Sequence, residues 1–165
     1  MILNCRPVAT ALAGLLLAGS AAVGTTASAS AAPTTVPPAT AQVVNARFGV
    51  HPGYDRIVLD IKGPLPRVSV IRVDQVRYDP SGKPVPLRGS FFLRIRLAPA
   101  AAHDSAGHNV YRGPRLVALN LPHLRGFALA GDFEGVVGFG VGVRDHGAVH
   151  VFTLQNPNRV VMDVR

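Results

Sequence analysis

The chain has 165 residues, with 17 Lys and Arg against 9 Asp and Glu, a formal net charge of +8 at neutral pH, and one cysteine. A lone cysteine excludes a disulfide scaffold, so stability has to come from an apolar core, and the length suffices for one domain. The basic balance points to acidic partners such as anionic wall polymers, lipid headgroups or acidic substrate groups.

The chain opens with a single cation, Arg6, before an apolar run from Val8 to Gly19. Two small-x-small sites follow, at Ala27-Ser28-Ala29 and Ala29-Ser30-Ala31. That order marks a secretory signal peptide, assigned to residues 1–32. A membrane-spanning helix needs roughly 20 apolar residues, and this run is shorter and broken by Thr10. Cys5 precedes the run rather than following it, which argues against a lipoprotein attachment site. Cleavage would leave a chain with no cysteine, no membrane span and a net charge of +7, the +8 less Arg6. Nucleic acid suits that charge but not an export signal.

Residues 33–42 (PTTVPPATAQ) carry no charge and no period, and proline favours extended conformations, so they read as a semi-rigid linker. The folded domain is expected over 43–165. Val43 to Phe48 is a first strand, and His51-Pro52-Gly53-Tyr54 a turn. Asp55-Arg56-Ile57-Val58-Leu59-Asp60-Ile61 follows, and its pattern returns at the end of the chain as Asn158-Arg159-Val160-Val161-Met162-Asp163-Val164. At the two-residue period of a strand, Ile57, Leu59 and Ile61 share one apolar face, as do Val160, Met162 and Val164. The opposite faces mix Arg, Val and Asp, as in a sheet with one wet side. Exposed pairing of Arg56 with Asp60 and of Arg159 with Asp163 is expected to serve register and solubility.

Between the two copies, Gly63-Pro64-Leu65-Pro66 breaks the chain and Val68 to Val73 forms a strand, which Val76-Arg77-Tyr78 extends past a bulge at Asp74-Gln75. Asp79-Pro80-Ser81-Gly82 is a turn, with Pro presetting φ and Gly allowing it to be positive. Phe91 to Leu97 alternates cleanly, with Phe91, Leu93, Ile95 and Leu97 opposite Phe92, Arg94 and Arg96. Pro99-Ala100-Ala101-Ala102 predicts one helical turn, and His103 to Asn109 an exposed loop. Leu116 to Leu121 and Phe127 to Ala130 are short strands on either side of Pro122. Val136 to Val143 alternates apolar residues with Gly138, Gly140 and Gly142, leaving one face nearly bare. A tight bend of the sheet is the expected reason, with close approach of a backbone or ligand as the alternative. Val149 to Leu154 is a strand, and Asn156-Pro157-Asn158 the turn into the second copy. The sum is an all-β antiparallel sandwich, or flattened barrel, of about eight to nine short strands.

No catalytic constellation emerges. Among the histidines only His103 and His108, with Asp104, lie close in sequence, and their five-residue gap does not suit one helical face. There is no G-x-S-x-G elbow, and cleavage removes thiol chemistry. Asp132 and Glu134, between Gly131 and Gly135, suggest a turn rather than a pair of glycosidic carboxylates. No cofactor, no metal and no enzymatic activity are therefore expected. Binding is better motivated: Arg94 and Arg96 share a face with Phe92, and Arg77 adjoins Tyr78. Guanidinium groups take carboxylates or phosphates bidentately and aromatic rings stack on sugars, so Arg77, Tyr78, Phe92, Arg94 and Arg96 form the expected ligand-binding set.

Several segments resemble a known family. Phe48 with His51-Pro52-Gly53-Tyr54-Asp55-Arg56, Val73 to Gly82, Leu129 to Gly135, and Asn156 to Val164 are similar to the AMIN-like domain of secreted actinobacterial proteins, over about residues 43–165. The two repeat copies also resemble the wider AMIN domain, a β-sandwich attached to periplasmic amidases and secretins and implicated in localisation to peptidoglycan. The resemblance implies an exported, non-catalytic module for binding or targeting to the cell envelope, to peptidoglycan or an associated anionic polymer. Alternatively it implies a docking module for a separate envelope enzyme, since no amidase or secretin domain follows before Arg165. It lends no catalytic residues.

Overall fold

A computed structural model describes residues 39–165; the expected signal peptide and most of the linker lie outside them. Ten strands form two five-stranded sheets, and no helix occurs among the described residues. The strands are β1 (Ala41–His51), β2 (Tyr54–Lys62), β3 (Arg67–Val73), β4 (Phe91–Ala98), β5 (Ala100–Ala101), β6 (Leu116–Ala118), β7 (Leu124–Phe133), β8 (Val136–Val143), β9 (Val149–Leu154) and β10 (Arg159–Val164). One sheet, here sheet A, runs β5-β1-β2-β10-β9, and the other, sheet B, runs β3-β4-β8-β7-β6. All pairings between neighbouring strands are antiparallel except the short parallel contact of β1 with β5.

The repeated sequence explains the centre of sheet A. Its two copies, β2 and β10, are direct neighbours, with Val58 opposite Val161, Arg56 opposite Asp163 and Asp60 opposite Arg159. The motif is thus complementary to itself when one copy runs antiparallel to the other, because each Arg comes to face an Asp. The apolar faces point inward as their period demands: Ile57, Leu59, Val160, Met162 and Val164 are buried against Leu93, Ile95, Leu97, Phe127, Phe139 and Val141 of sheet B. Phe127 anchors the middle, with its ring 4.9 Å from Phe48 and 5.2 Å from Phe139. Each such side chain contributes roughly 1.5–3 kcal/mol on leaving water. The opposite face of β10 is drier than its pattern implies: Val161 and Asp163 are buried as well, because Arg56, Tyr54 and Phe152 close over them.

The first residue of each copy ties down a distant loop. Asp55 is fully buried, and its Oδ2 accepts the backbone N–H groups of His123 at 2.6 Å and Leu124 at 2.8 Å. Its counterpart Asn158 donates from Nδ2 to the Gly63 carbonyl at 2.8 Å.

Five expectations need correction. The Val76-Arg77-Tyr78 segment does not extend β3. The chain leaves the sheet at Asp74, and residues 74–90 fold back as a loose hairpin, with Tyr78 N–H bonded to the Lys83 carbonyl and Val85 N–H to the Val76 carbonyl. That hairpin lies on the outer face of sheet B, where Val76 and Val85 form a second apolar cluster with Ala128 and Ala130. The bare face of β8 is therefore a landing site for backbone, not a bend. A Cβ on Gly142 would stand 1.7 Å from the Arg88 carbonyl oxygen, and one on Gly140 would stand 2.6 Å from the Val76 side chain.

Pro99 to Ala102 makes no helical turn. Ala100 and Ala101 instead pair with Ala41 and Gln42, and Ala100 N–H bonds the Gly135 carbonyl at 2.8 Å. Small side chains allow this approach, and Ala41 and Ala100 are both fully buried. The strand expected at 116–121 shrinks to three residues, while 127–130 belongs to the ten-residue β7. Finally, β1 begins at Ala41, two residues inside the expected linker.

Candidate functional site

The five residues expected to bind ligand largely serve the hairpin on sheet B. Arg94 Nη2 forms an ion pair with Asp79, and Nη1 bonds the Arg77 carbonyl at 3.3 Å, so this guanidinium clips residues 77–79 to β4. Phe92 and Tyr78 pack against the second apolar cluster. Arg77 donates to the Gly82 carbonyl at 3.0 Å and closes the turn it precedes. Arg96 remains on the exposed surface. A sequence pattern shows which face a residue takes, but not that another part of the same chain occupies that face.

Among the described residues no such hairpin lies on the outer face of sheet A, which carries two features. Along β2, β10 and β9 runs a strip of rings and charge. Arg56 makes a bidentate pair with Asp163, at 2.7 and 2.8 Å, replacing the expected pairing within each copy. Its guanidinium also lies 5.2 Å from the Tyr54 ring centroid and 5.4 Å from that of Phe152. Such contacts favour an arginine whose water has been partly stripped. His51 stacks on Tyr54 at 4.8 Å and His150 lies 5.3 Å from Phe152, flanking the strip on both sides. The hydrogen bonds from Arg56 hold the Asp163 carboxyl below the usual carboxylate range, with the charges of Arg56, His150 and His51 acting in the same direction.

Beside the strip, the other end of β1 and β2 and the 109–112 loop enclose an open polar groove of about 720 Å³. Gln42, Asn45 and Asn109 supply amides, Asp60 a carboxylate, and Lys62 and Arg112 cations. Asp60 is taken by Arg47, at 2.6 and 3.0 Å, and by the Asn45 amide at 3.4 Å. Neither Lys62 nor Arg112 pairs with a carboxylate among the described residues. A concave surface with convergent amides and two uncompensated cations fits a hydroxylated ligand that carries acid groups. These groove residues escaped the sequence pattern because they come from three separate segments, which only the β1–β2 pairing and the loop after β5 bring together.

A family model for the AMIN-like domain matches residues 41–165. The chain belongs to the AMIN-like domain family. The match begins at the first residue of β1 and runs to the last residue of the chain. Comparison with curated proteins returned no match. AMIN-like domains occur in periplasmic and extracytoplasmic proteins, and membership indicates an envelope-associated module of the non-catalytic kind.

Within the AMIN-like domain, the acids considered for hydrolysis sit at and beside the β7–β8 turn. Glu134 and Gly135 take positive φ, 49° and 73°, and make the two-residue turn between β7 and β8. Asp132 bonds His103 Nδ1 at 2.6 Å. Asp104 Oδ1 accepts the backbone N–H groups of Ala106 and His108, both at 2.9 Å, and so shapes its own loop. Among the described residues, no three His, Cys, Asp or Glu side chains gather as a metal ion would require. No helix among them is long and apolar enough to cross a membrane.

Proposed function

We propose that this AMIN-like protein is exported and acts without catalysis, holding the cell envelope through the outer face of sheet A. The ligand is peptidoglycan or an anionic polymer associated with it. The polar groove carries this reading: its amides suit sugar hydroxyls and acetamido groups, and Lys62 and Arg112 suit peptide carboxylates or polymer phosphates. The Tyr54 and Phe152 rings around Arg56, farther along the same sheet, offer apolar faces to sugar rings. The expected export signal and the net charge of +7 left after its cleavage, the +8 less Arg6, support the location and the sign of the partner.

Sedimentation of the purified protein with cell walls tests this reading. Wild type is expected to pellet with walls at low salt and to be released as salt screens the attraction. A Lys62→Ala/Arg112→Ala double variant is expected to stay in the supernatant. Pelleting of that variant to the wild-type extent would refute the groove, and failure of wild type to pellet at low salt would refute wall binding altogether.

A further inference from the structure

The two rims of the sandwich are finished differently. On one side the edge strands are short, β5 with two residues and β6 with three, and the chain ties the sheets together. Ala100 N–H bonds the Gly135 carbonyl, Arg112 N–H the Val44 carbonyl of β1, and Leu129 N–H of β7 the Arg115 carbonyl. On the other side lie β3, the seven-residue edge of sheet B, and β9, the six-residue edge of sheet A. Arg72 links them at one end, its Nη2 donating to the His146 and Gly147 carbonyls at 3.2 and 2.9 Å. Among the described residues, no turn, loop or side chain hydrogen-bonds to the main chain of Arg67–Val73 on the side away from β4. An open edge of that length leaves N–H and C=O groups ready to pair with another strand.

The groove between the two edges, of about 420 Å³, displays the same main chain. Val68, Val70 and Leu93 of sheet B and Val149 and Val151 of sheet A supply its apolar side chains. Ile71 lines it too, yet by register its side chain lies beside Arg94 on the outer face of sheet B. What Ile71 offers the groove is therefore its backbone. Arg72 apart, every polar atom of this lining belongs to main chain, which suits a peptide strand. Charge decides what that strand carries. Arg67, Ser69 and Ile71 share the outer face of β3, and Arg96 of β4 stands opposite Ser69. All four are exposed, Ile71 by 53%, because the 74–90 hairpin sits over the glycines of β8 instead. Neither Arg67 nor Arg96 pairs with a carboxylate among the described residues. A strand laid along β3 would set alternate side chains beside these two cations, and the others beside Val68 and Val70.

We propose that β3 takes on a strand from a partner protein, an extended segment with acids on one face and apolar residues on the other. Its acids meet Arg67 and Arg96, and its apolar side chains fill the groove over Val149 and Val151. A second copy of this chain suits the edge less well. Paired antiparallel along β3, it would add its own Arg67 and Arg96 to the same face, where like charges repel. None of these residues belongs to the polar groove on sheet A, so the contact goes beyond wall attachment.

Amide NMR of the isotope-labelled protein, titrated with a synthetic peptide, tests the proposal. The probe is a capped peptide of seven residues, the length of β3, alternating valine with glutamate and threonine. It is expected to saturate one site, to shift the amide signals of Arg67–Val73 and to slow hydrogen exchange at alternate amides there. Two further peptides carry N-methyl groups at alternate positions, in opposite phase. One should lose binding and the other keep it, since only alternate N–H groups of a paired strand face its neighbour. Arg67→Glu/Arg96→Glu, at exposed positions, should weaken the acidic peptide at least about tenfold, the worth of one charge-assisted hydrogen bond. That variant should bind a lysine version of the peptide in its place. The Lys62→Ala/Arg112→Ala variant should bind the acidic peptide as wild type does, which separates this edge from wall attachment. No shift in β3, equal binding by the two N-methyl peptides, or wild-type affinity after charge reversal would overturn the proposal. So would dimerisation without peptide that protects the same amides, because a second copy would then occupy the edge.

Discussion

The three glycines on the outer face of β8 offer a graded test of how residues 74–90 sit on sheet B. Replacement by alanine adds one Cβ at Gly138, Gly140 or Gly142, and the structure assigns each a different neighbour. At Gly138 the nearest atom is Asp79 Oδ2 at 3.5 Å, an ordinary contact. At Gly140 it is Val76 Cγ1 at 2.6 Å, a side chain that has to turn or slide. At Gly142 it is the Arg88 carbonyl oxygen at 1.7 Å, with the carbonyl carbon at 2.8 Å, and backbone cannot turn aside. Restoring a normal separation of roughly 3.5 Å there requires the 88–89 backbone to lift by about 2 Å. The same carbonyl oxygen would also lie 2.8 Å from a Cβ on Gly126, so it sits over two bare positions at once.

Overpacking of this kind costs roughly 1–3 kcal/mol, and more when backbone has to move. Gly138→Ala is expected to be neutral, or to gain up to about 1 kcal/mol by restricting the unfolded chain. Gly140→Ala should lose about 1–2 kcal/mol, and Gly142→Ala about 3 kcal/mol or more. Urea unfolding followed by far-ultraviolet circular dichroism measures the series directly. With unchanged slopes, midpoints should fall in the order Gly138→Ala, Gly140→Ala, Gly142→Ala. Equal midpoints for Gly138→Ala and Gly142→Ala would refute the close seating of the hairpin on β8.

Removing the buried carboxylate of Asp55 strands two backbone N–H groups, so Asp55→Ala should cost about 2–5 kcal/mol, while Asp55→Asn, which keeps an acceptor oxygen, should cost less; equal losses in urea unfolding would count against the role of Oδ2. The Arg56–Asp163 and Arg47–Asp60 pairs differ in cover, with Arg56 27% exposed and Arg47 53%. Arg47→Ala should therefore change stability by no more than about 1 kcal/mol, and Arg56→Ala by clearly more in the same assay. Because the folded Asp163 carboxyl lies below its ordinary value, the stability it adds is complete above about pH 4 and is lost as pH falls through the folded value. Urea midpoints of wild type and Asp163→Asn should accordingly differ at neutral pH and converge in acid, and a constant gap would exclude this coupling.

Period two alone identified the strands that build the core. Where one face of a segment is wholly apolar, as at Ile57-Leu59-Ile61, at Val160-Met162-Val164 and along Leu93-Ile95-Leu97, only one orientation buries it, and the fold obeys. The turn at 79–82 was legible for a similar local reason: Gly82 takes a φ of 68°, the region its lack of a Cβ opens. Local chemistry also indicated that Glu134 and Gly135 belong to a turn.

Partners distant in the chain were decided only by tertiary structure. That Arg56 would reach Asp163 rather than Asp60 depends on β10 lying antiparallel to β2 in a register that a single copy of the motif does not contain. Likewise, the glycines of β8 state that something comes close but not what, and Arg94 and Phe92 look like a wet face until the 74–90 hairpin is set upon them. The polar groove and the open rim between β3 and β9 exist only once separate segments are assembled. Side-chain periodicity is a property of neighbours along the chain, whereas a binding surface is a property of neighbours in space, and the sequence encodes the second only through the fold.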